Sequence, residues 1–247
     1  MRKSRRLQVL EQRKREIATD KPDPDGFLVI PGLLNPTGVV LDELRDIIVK
    51  RGRSIFNDLS RSPGSKRLQT PSLTTQRISS ELDTFITSMK TTANSRYPYL
   101  RFCDPVGLLS KPGCGEQPVH ADYDVNDLRN LTHHQCPRGM LAALEDGTEL
   151  VVYPGSHWLW GAQTDEKKSD ITTRRRVLHL NTGDVVFFRG DLLHSGSSYS
   201  QTNLRMHAYL DSDMVPRIPD RTWLLGFKRP DIYDQLMSLA DDTIRDN

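Results

Sequence analysis

The sequence predicts a mostly β domain with flanking helices, a sandwich or jelly roll. Two patterns carry this expectation. From Tyr97 onward, short apolar runs recur between glycines and prolines, the signature of short strands joined by turns. Before Tyr97, apolar residues recur instead at helical spacing. A chain of 247 residues is long enough to enclose one large core, so a single domain over 23–247 is expected behind a basic segment at 1–22.

Within 1–22, Leu7, Val9, Leu10 and Ile17 sit among many charges and suggest a frayed helix that ends before Pro22 and Pro24. Asn35 is the expected cap of a helix opening at Pro36, with Val39, Val40, Leu44, Ile47 and Ile48 on one face. That helix is expected outside the β structure. Arg61 to Arg77, rich in Ser, Pro, Gly and Thr, reads as a loop or flap. A second helix is expected from Glu81 through Leu82, Phe85, Ile86 and Met89. Strands are expected at Tyr99–Phe102, Gly107–Leu109, Met140–Leu144, Leu150–Tyr153, Val177–Leu180, Val185–Phe188 and Leu204–Leu210. Asp146-Gly147 reads as a hairpin turn, because glycine accepts the positive φ such turns need. The polar run before Val177, with Lys167, Lys168 and Arg174 to Arg176, reads as a solvated loop, with a lid as the functional alternative.

Composition narrows the function. With 34 Lys and Arg against 32 Asp and Glu, the chain is not an evident polyanion binder. No apolar run approaches bilayer length, so no membrane association is expected. No hydrophobic stretch follows the basic start, and a secretory signal is therefore not expected. Cys103, Cys114 and Cys136 are odd in number and irregular in spacing, which predicts free thiols and a cytoplasmic or nuclear location. His133, His134 and Cys136, with Cys114, match no usual zinc spacing.

The chemistry concentrates in His120-Ala121-Asp122 and the distant His194. Residues two apart in a strand share a face, so His120 and Asp122 can both ligate one ion while Ala121 points away. Two imidazoles and one carboxylate on one face of an octahedral Fe(II) leave three positions for a bidentate co-substrate and oxygen. By the same parity rule, Gln117 and Tyr123 turn away from the metal. Eleven positions after His194, Arg205 offers a guanidinium that can hold the far carboxylate of a dicarboxylic acid through two parallel hydrogen bonds. Ser156 and His157 are expected to serve the turn after Pro154-Gly155, and Trp158 and Trp160 to frame an entrance or pack.

Taken in order, these motifs resemble the Fe(II)/2-oxoglutarate-dependent dioxygenases, and among them the phytanoyl-CoA dioxygenase-like group. The resemblance runs through Asp25 to Leu34, Lys111-Pro112-Gly113 leading into Gln117 to Asp122, Gly147 to Trp158 with its Pro154-Gly155-Ser156-His157 core, and His194 with Arg205. It implies a double-stranded β-helix of cupin-like type, with metal and co-substrate motifs inside 97–212. It also implies Fe(II) on His120, Asp122 and His194, 2-oxoglutarate held by Arg205 and contacted by Lys111, O2 as oxidant, and ascorbate as an in vitro auxiliary. The implied reaction hydroxylates an unidentified small molecule or side chain while 2-oxoglutarate becomes succinate and CO2. Two departures matter. His207 stands where wider relatives place a co-substrate serine, leaving the second carboxylate contact unassigned. Asp122 stands where related halogenases carry a small residue, which argues against halogenation. Competing readings are a catalytically silent jelly roll that binds a metal or small acid, and a nucleic-acid or chromatin-associated module using the basic N-terminus. Oligomeric state is not readable.

Overall fold

Two antiparallel sheets pack against each other in the computed structural model, which describes residues 24–55, 66–128, 130–159, 171, 173–217 and 223–224. The expected helix within 1–22, residues 61–65, Trp160, Lys167 and Lys168 lie outside them. The larger sheet runs β1 (Phe27–Ile30), β9 (Val185–Arg189), β6 (Arg138–Ala143), β11 (Asn203–Asp211), β4 (Arg101–Ser110), β3 (Arg67–Gln69), β2 (Arg53–Ser54). The smaller runs β12 (Trp223–Leu224), β5 (His120–Ala121), β10 (His194–Gly196), β7 (Thr148–Val152), β8 (Arg176–Leu180). Among the described residues, no helix is long and apolar enough to cross a membrane.

Alternation within the strands explains the layering. Met140 and Ala142 of β6, Val185 and Phe187 of β9, and Leu204, Met206 and Ala208 of β11 form the outer face of the larger sheet. Helices α1 (Gly38–Arg51) and α2 (Ser80–Arg96) cover that face with Val40, Leu44, Ile48, Leu82, Phe85 and Met89, as expected for the first helix. The intervening residues Leu141, Ala143, Val186 and Phe188 point inward and meet Leu150, Val152, Leu178 and Leu180 of the smaller sheet. Because both faces of β9 are buried, its sequence is continuously apolar rather than alternating. On β11 the same parity turns Arg205 and His207 inward.

Several boundaries differ from expectation, each for a local reason. Helix α1 is capped by Thr37, whose hydroxyl accepts from the Val40 N–H at 3.4 Å, so it starts after Asn35-Pro36. Helix α2 is capped by Ser79, which accepts from Leu82 N–H at 3.2 Å. The expected loop at Arg61–Arg77 contains β3, which pairs with β4 through Arg67↔Ser110. Tyr99–Phe102 and Gly107–Leu109 are replaced by one longer strand, β4, broken only by a bulge. Between Cys103↔Tyr209 and Val106↔His207, two residues of β4 oppose one of β11. The bulge holds Pro105, which has no N–H to donate, and Asp104 at φ 46°. Asp146-Gly147 is a turn with Gly147 at φ 73°, but not a hairpin, because β6 and β7 on its two sides belong to different sheets.

Candidate metal centre

His194 of β10 pairs with His120 of β5, placing the two rings on one face with centroids 4.4 Å apart. Asp122 follows β5 and is set by its turn: the backbone N–H groups of Asp122 and Tyr123 both donate to Gly190 O at 3.0 Å. Ala121 is buried on the opposite side with Val151, Tyr153 and Leu193. The outcome expected from strand parity is therefore reached, although a docked turn and not a continuing strand aims the carboxylate. One ligand atom from each of His120, Asp122 and His194 lies within 4.8 Å of the others. Among the described residues this is the group of His, Cys, Asp or Glu that converges so, and His133, His134, Cys114 and Cys136 do not.

The imidazoles are oriented as metal ligands need. His120 Nδ1 bonds Pro118 O at 2.8 Å, and His194 Nδ1 bonds Leu192 O at 3.0 Å. A carbonyl only accepts, so Nδ1 carries the hydrogen in each ring and Nε2 carries the lone pair. Burial pushes both histidines down to about 4; the neighbouring His194 adds to the effect on His120, and Asp122 opposes it there. Both rings are thus neutral near pH 7. Asp122 Oδ2 is buried without a hydrogen-bond partner, a costly position unless a cation meets it. His194 Nε2 lies 3.7 Å from Asp122 Oδ1. The donor set fits a 2-His-1-carboxylate ion site.

Arg205 is 4 % exposed and donates to Ser110 Oγ at 2.9 Å. His207, one inward step along β11, brings Nε2 to 3.9 Å from Asp122 Oδ2, and burial holds it down to about 4. Arg205 therefore lies roughly 7 Å of strand away from a residue that faces the triad. Lys111, by contrast, is exposed just past β4, with its backbone N–H bonded to Lys66 O. Sequence reasoning missed Arg67, which is buried beside Arg205 and donates to the same Ser110 Oγ at 3.1 Å. It sits in a three-residue strand within a polar stretch that carries no periodicity.

The remaining candidates find other tasks. Tyr123 turns away from the triad and donates to Asp211, while Gln117 Oε1 accepts from Gly196 N–H at 2.8 Å. Ser156 does more than serve its own turn, since its hydroxyl reaches Leu193, next to His194. His157 is buried against Trp158, whose own side chain is exposed. Within the basic run, Arg175 pairs with Glu116 at 2.7 Å, and Glu116 in turn accepts from Ser195 Oγ. Cys103, Cys114 and Cys136 are free thiols, as expected.

Neither a protein-family model nor a curated protein sequence matches this chain. Solved structures do. The chain is similar to the non-haem α-ketoglutarate-dependent carbocyclase SnoK from nogalamycin biosynthesis, at TM-score 0.60 and 18% identity over 85% of this chain and 87% of that one. It is similar to the epimerase SnoN in complex with Fe3+, α-ketoglutarate and nogalamycin RO, at TM-score 0.58 and 18% identity over 90% and 98% of the two chains. It is also similar to HygX from Streptomyces hygroscopicus with nickel, 2-oxoglutarate and hygromycin B bound, at TM-score 0.53 and 18% identity over 77% and 85%. At this level of identity the likeness establishes the architecture: the chain has the jelly-roll fold of non-haem 2-oxoglutarate-dependent enzymes.

Proposed function

We propose that this protein is an Fe(II)- and 2-oxoglutarate-dependent dioxygenase that hydroxylates an organic substrate. The observation that carries the reading is the buried convergence of His120, Asp122 and His194, with the orphaned Asp122 oxygen, on the same interior that Arg205 enters. Fold neighbours that hold Fe3+ or nickel together with the keto acid support it. The phytanoyl-CoA dioxygenase-like grouping rests on the order of the motifs along the chain.

Each residue then has a task. His120 and His194, neutral and fixed through Nδ1, offer Nε2 to the metal, and Asp122 contributes the anionic oxygen. Arg205 holds the distal carboxylate of 2-oxoglutarate, with the Ser110 hydroxyl as the second contact that position 207 does not supply. Phe188, 4.6 Å from the His194 ring, and the inward residues of the larger sheet keep water from the back of the site. Bound Fe(II) with 2-oxoglutarate and O2 supplies oxidation of a substrate C–H bond coupled to formation of succinate and CO2. Lys111, exposed just past β4, is assigned to the incoming acid on the resemblance alone.

The test is oxygen uptake and succinate formation by the iron-loaded protein with 2-oxoglutarate, beside an Asp122→Ala control. Succinate formed by the parent and not by the control is expected. No iron-dependent succinate in either, with or without ascorbate, would favour the silent jelly-roll reading. Untargeted metabolite comparison of the same pair identifies the substrate.

A further inference from the structure

Ser110 stands at the end of β4 with both of its acceptor sites engaged. Arg205 donates to its Oγ at 2.9 Å and Arg67 at 3.1 Å, and the residue is fully buried. A hydroxyl has two lone pairs and one hydrogen, so filling both lone pairs leaves the O–H as a donor to whatever lies in front of it. Arg67 and Arg205 also share an aromatic neighbour, with their guanidinium carbons 6.0 and 5.4 Å from the Tyr199 ring centre.

Arg67 is tied at the same time to the segments that carry the metal ligands. Its Nη2 donates to Gly115 O, five residues before His120, and to Gly196 O and Ser197 O, just after His194. Gly196 permits this approach, because a Cβ there would come within 2.9 Å of Arg67 Nη1. Two guanidiniums buried side by side repel each other. Burial and the nearby Arg205 both push Arg67 below the ordinary arginine range. An anion placed before Ser110 and Arg205 offsets that repulsion.

We propose that Arg67 is a positioning residue for the distal carboxylate of the co-substrate: it turns the Ser110 hydroxyl outward beside Arg205 and adds a second buried positive charge to the seat. The inference rests on the 2-oxoglutarate reading above. It makes the acid's seat a two-arginine site, with selectivity for keto acids that carry a second carboxylate.

The test compares two keto acids. In the anaerobic Fe(II)-loaded protein, 2-oxoglutarate and 2-oxobutyrate share the chelating end, and 2-oxobutyrate lacks the distal carboxylate. Both are titrated by the metal-to-ligand charge-transfer band in the parent, Arg67→Met, Arg67→Lys and Ser110→Ala, with iron content and thermal unfolding measured alongside. Arg67→Met is expected to weaken 2-oxoglutarate about tenfold or more, the scale of one lost charge-assisted contact, and to change 2-oxobutyrate less than about twofold. Arg67→Lys recovers part of the loss, and Ser110→Ala shows the same selective loss. Equal weakening of both acids in Arg67→Met overturns the proposal in favour of a scaffold role, and an unchanged 2-oxoglutarate affinity overturns it outright. If Arg67→Met does not unfold cooperatively, Arg67→Lys decides: a 2-oxoglutarate loss that is absent, or matched by an equal loss for 2-oxobutyrate, sinks the proposal. A parent protein that shows no iron-dependent band with 2-oxoglutarate refutes the dioxygenase reading itself, which separates the two failures.

Discussion

Leu193 donates its backbone N–H to the Ser156 hydroxyl at 2.9 Å, across 37 residues of chain. Leu193 O accepts from Tyr153 N–H, so both backbone groups of the residue before His194 are held by the segment Tyr153–Ser156. The turn at Pro154-Gly155 thus fixes where β10 begins, and with it where the second imidazole points. Ser156→Ala leaves a buried N–H without its acceptor, a cost of about 1–3 kcal/mol. A lower unfolding midpoint together with weaker Fe(II) binding is expected. Iron affinity unchanged in a destabilised variant would show that His194 is aimed by other contacts.

How much of this was legible in the sequence depends on how far each signal travels along the chain. Periodicity within one element is local, and it placed both helices and the continuous apolar run of β9, whereas the inward parity of Arg205 emerges only once β11 is seated between β4 and β6. The triad was legible because ligand spacing is itself a local pattern for His120 and Asp122. What stayed hidden are relationships made only by packing. The two-residue β5 is too short to show alternation, and Asp122 owes its aim to Gly190, 68 positions away. Arg67 reads as one more basic residue in a polar loop until β3 pairs with β4. Asp146-Gly147 has hairpin chemistry, but whether adjoining strands share a sheet is decided by the core between the sheets.

Removal of either imidazole tests the triad. His120→Ala or His194→Ala should abolish stoichiometric Fe(II) binding and iron-dependent turnover, because a three-point site has no local replacement for a lost ligand. The fold should persist, since the two sheets are joined by an apolar core centred on Leu141, Val152, Leu178 and Phe188. Iron content measured on protein with a native unfolding transition checks this. Full iron binding in either variant removes that histidine from the ligand set.

His157 supplies a pH dependence. Burial first, and then the Arg189 guanidinium, push this imidazole down to about 4, with Asp191 opposing and Arg138 and His133 reinforcing. Its ordinary value is 6.5, so between about 6.5 and 4 the unfolded chain binds a proton that the folded chain refuses. The contribution to stability is therefore complete above 6.5 and is lost as pH falls through that window. Urea unfolding from pH 7.5 to 4.5 should show a smaller loss in His157→Leu than in the parent. The slopes should differ by at most about 1.4 kcal/mol per pH unit, the value for one full proton. Parallel curves would mean that this ring is protonated in the fold.

Arg205→Ala separates co-substrate binding from metal binding. The guanidinium is 4 % exposed and is no member of the converging ligand group, so iron affinity should stay within a few-fold of the parent. On the proposed reading its loss leaves the distal carboxylate of 2-oxoglutarate desolvated, with the Ser110 hydroxyl as its remaining contact. Removing one partner of a buried charge pair costs about 3–5 kcal/mol. That range corresponds to a loss of more than about a hundredfold in 2-oxoglutarate affinity. Arg205→Lys should recover only part of it, because an ammonium restores charge without the planar two-point fork. The effect should also exceed that of Arg67→Met, since the proposed seat puts Arg205 in contact with the acid and Arg67 behind Ser110. Anaerobic titration with 2-oxoglutarate, followed by the charge-transfer band, measures all three variants on one scale. If Arg205→Ala binds as tightly as the parent, the acid is anchored elsewhere, and the inward face of β11 is not its seat.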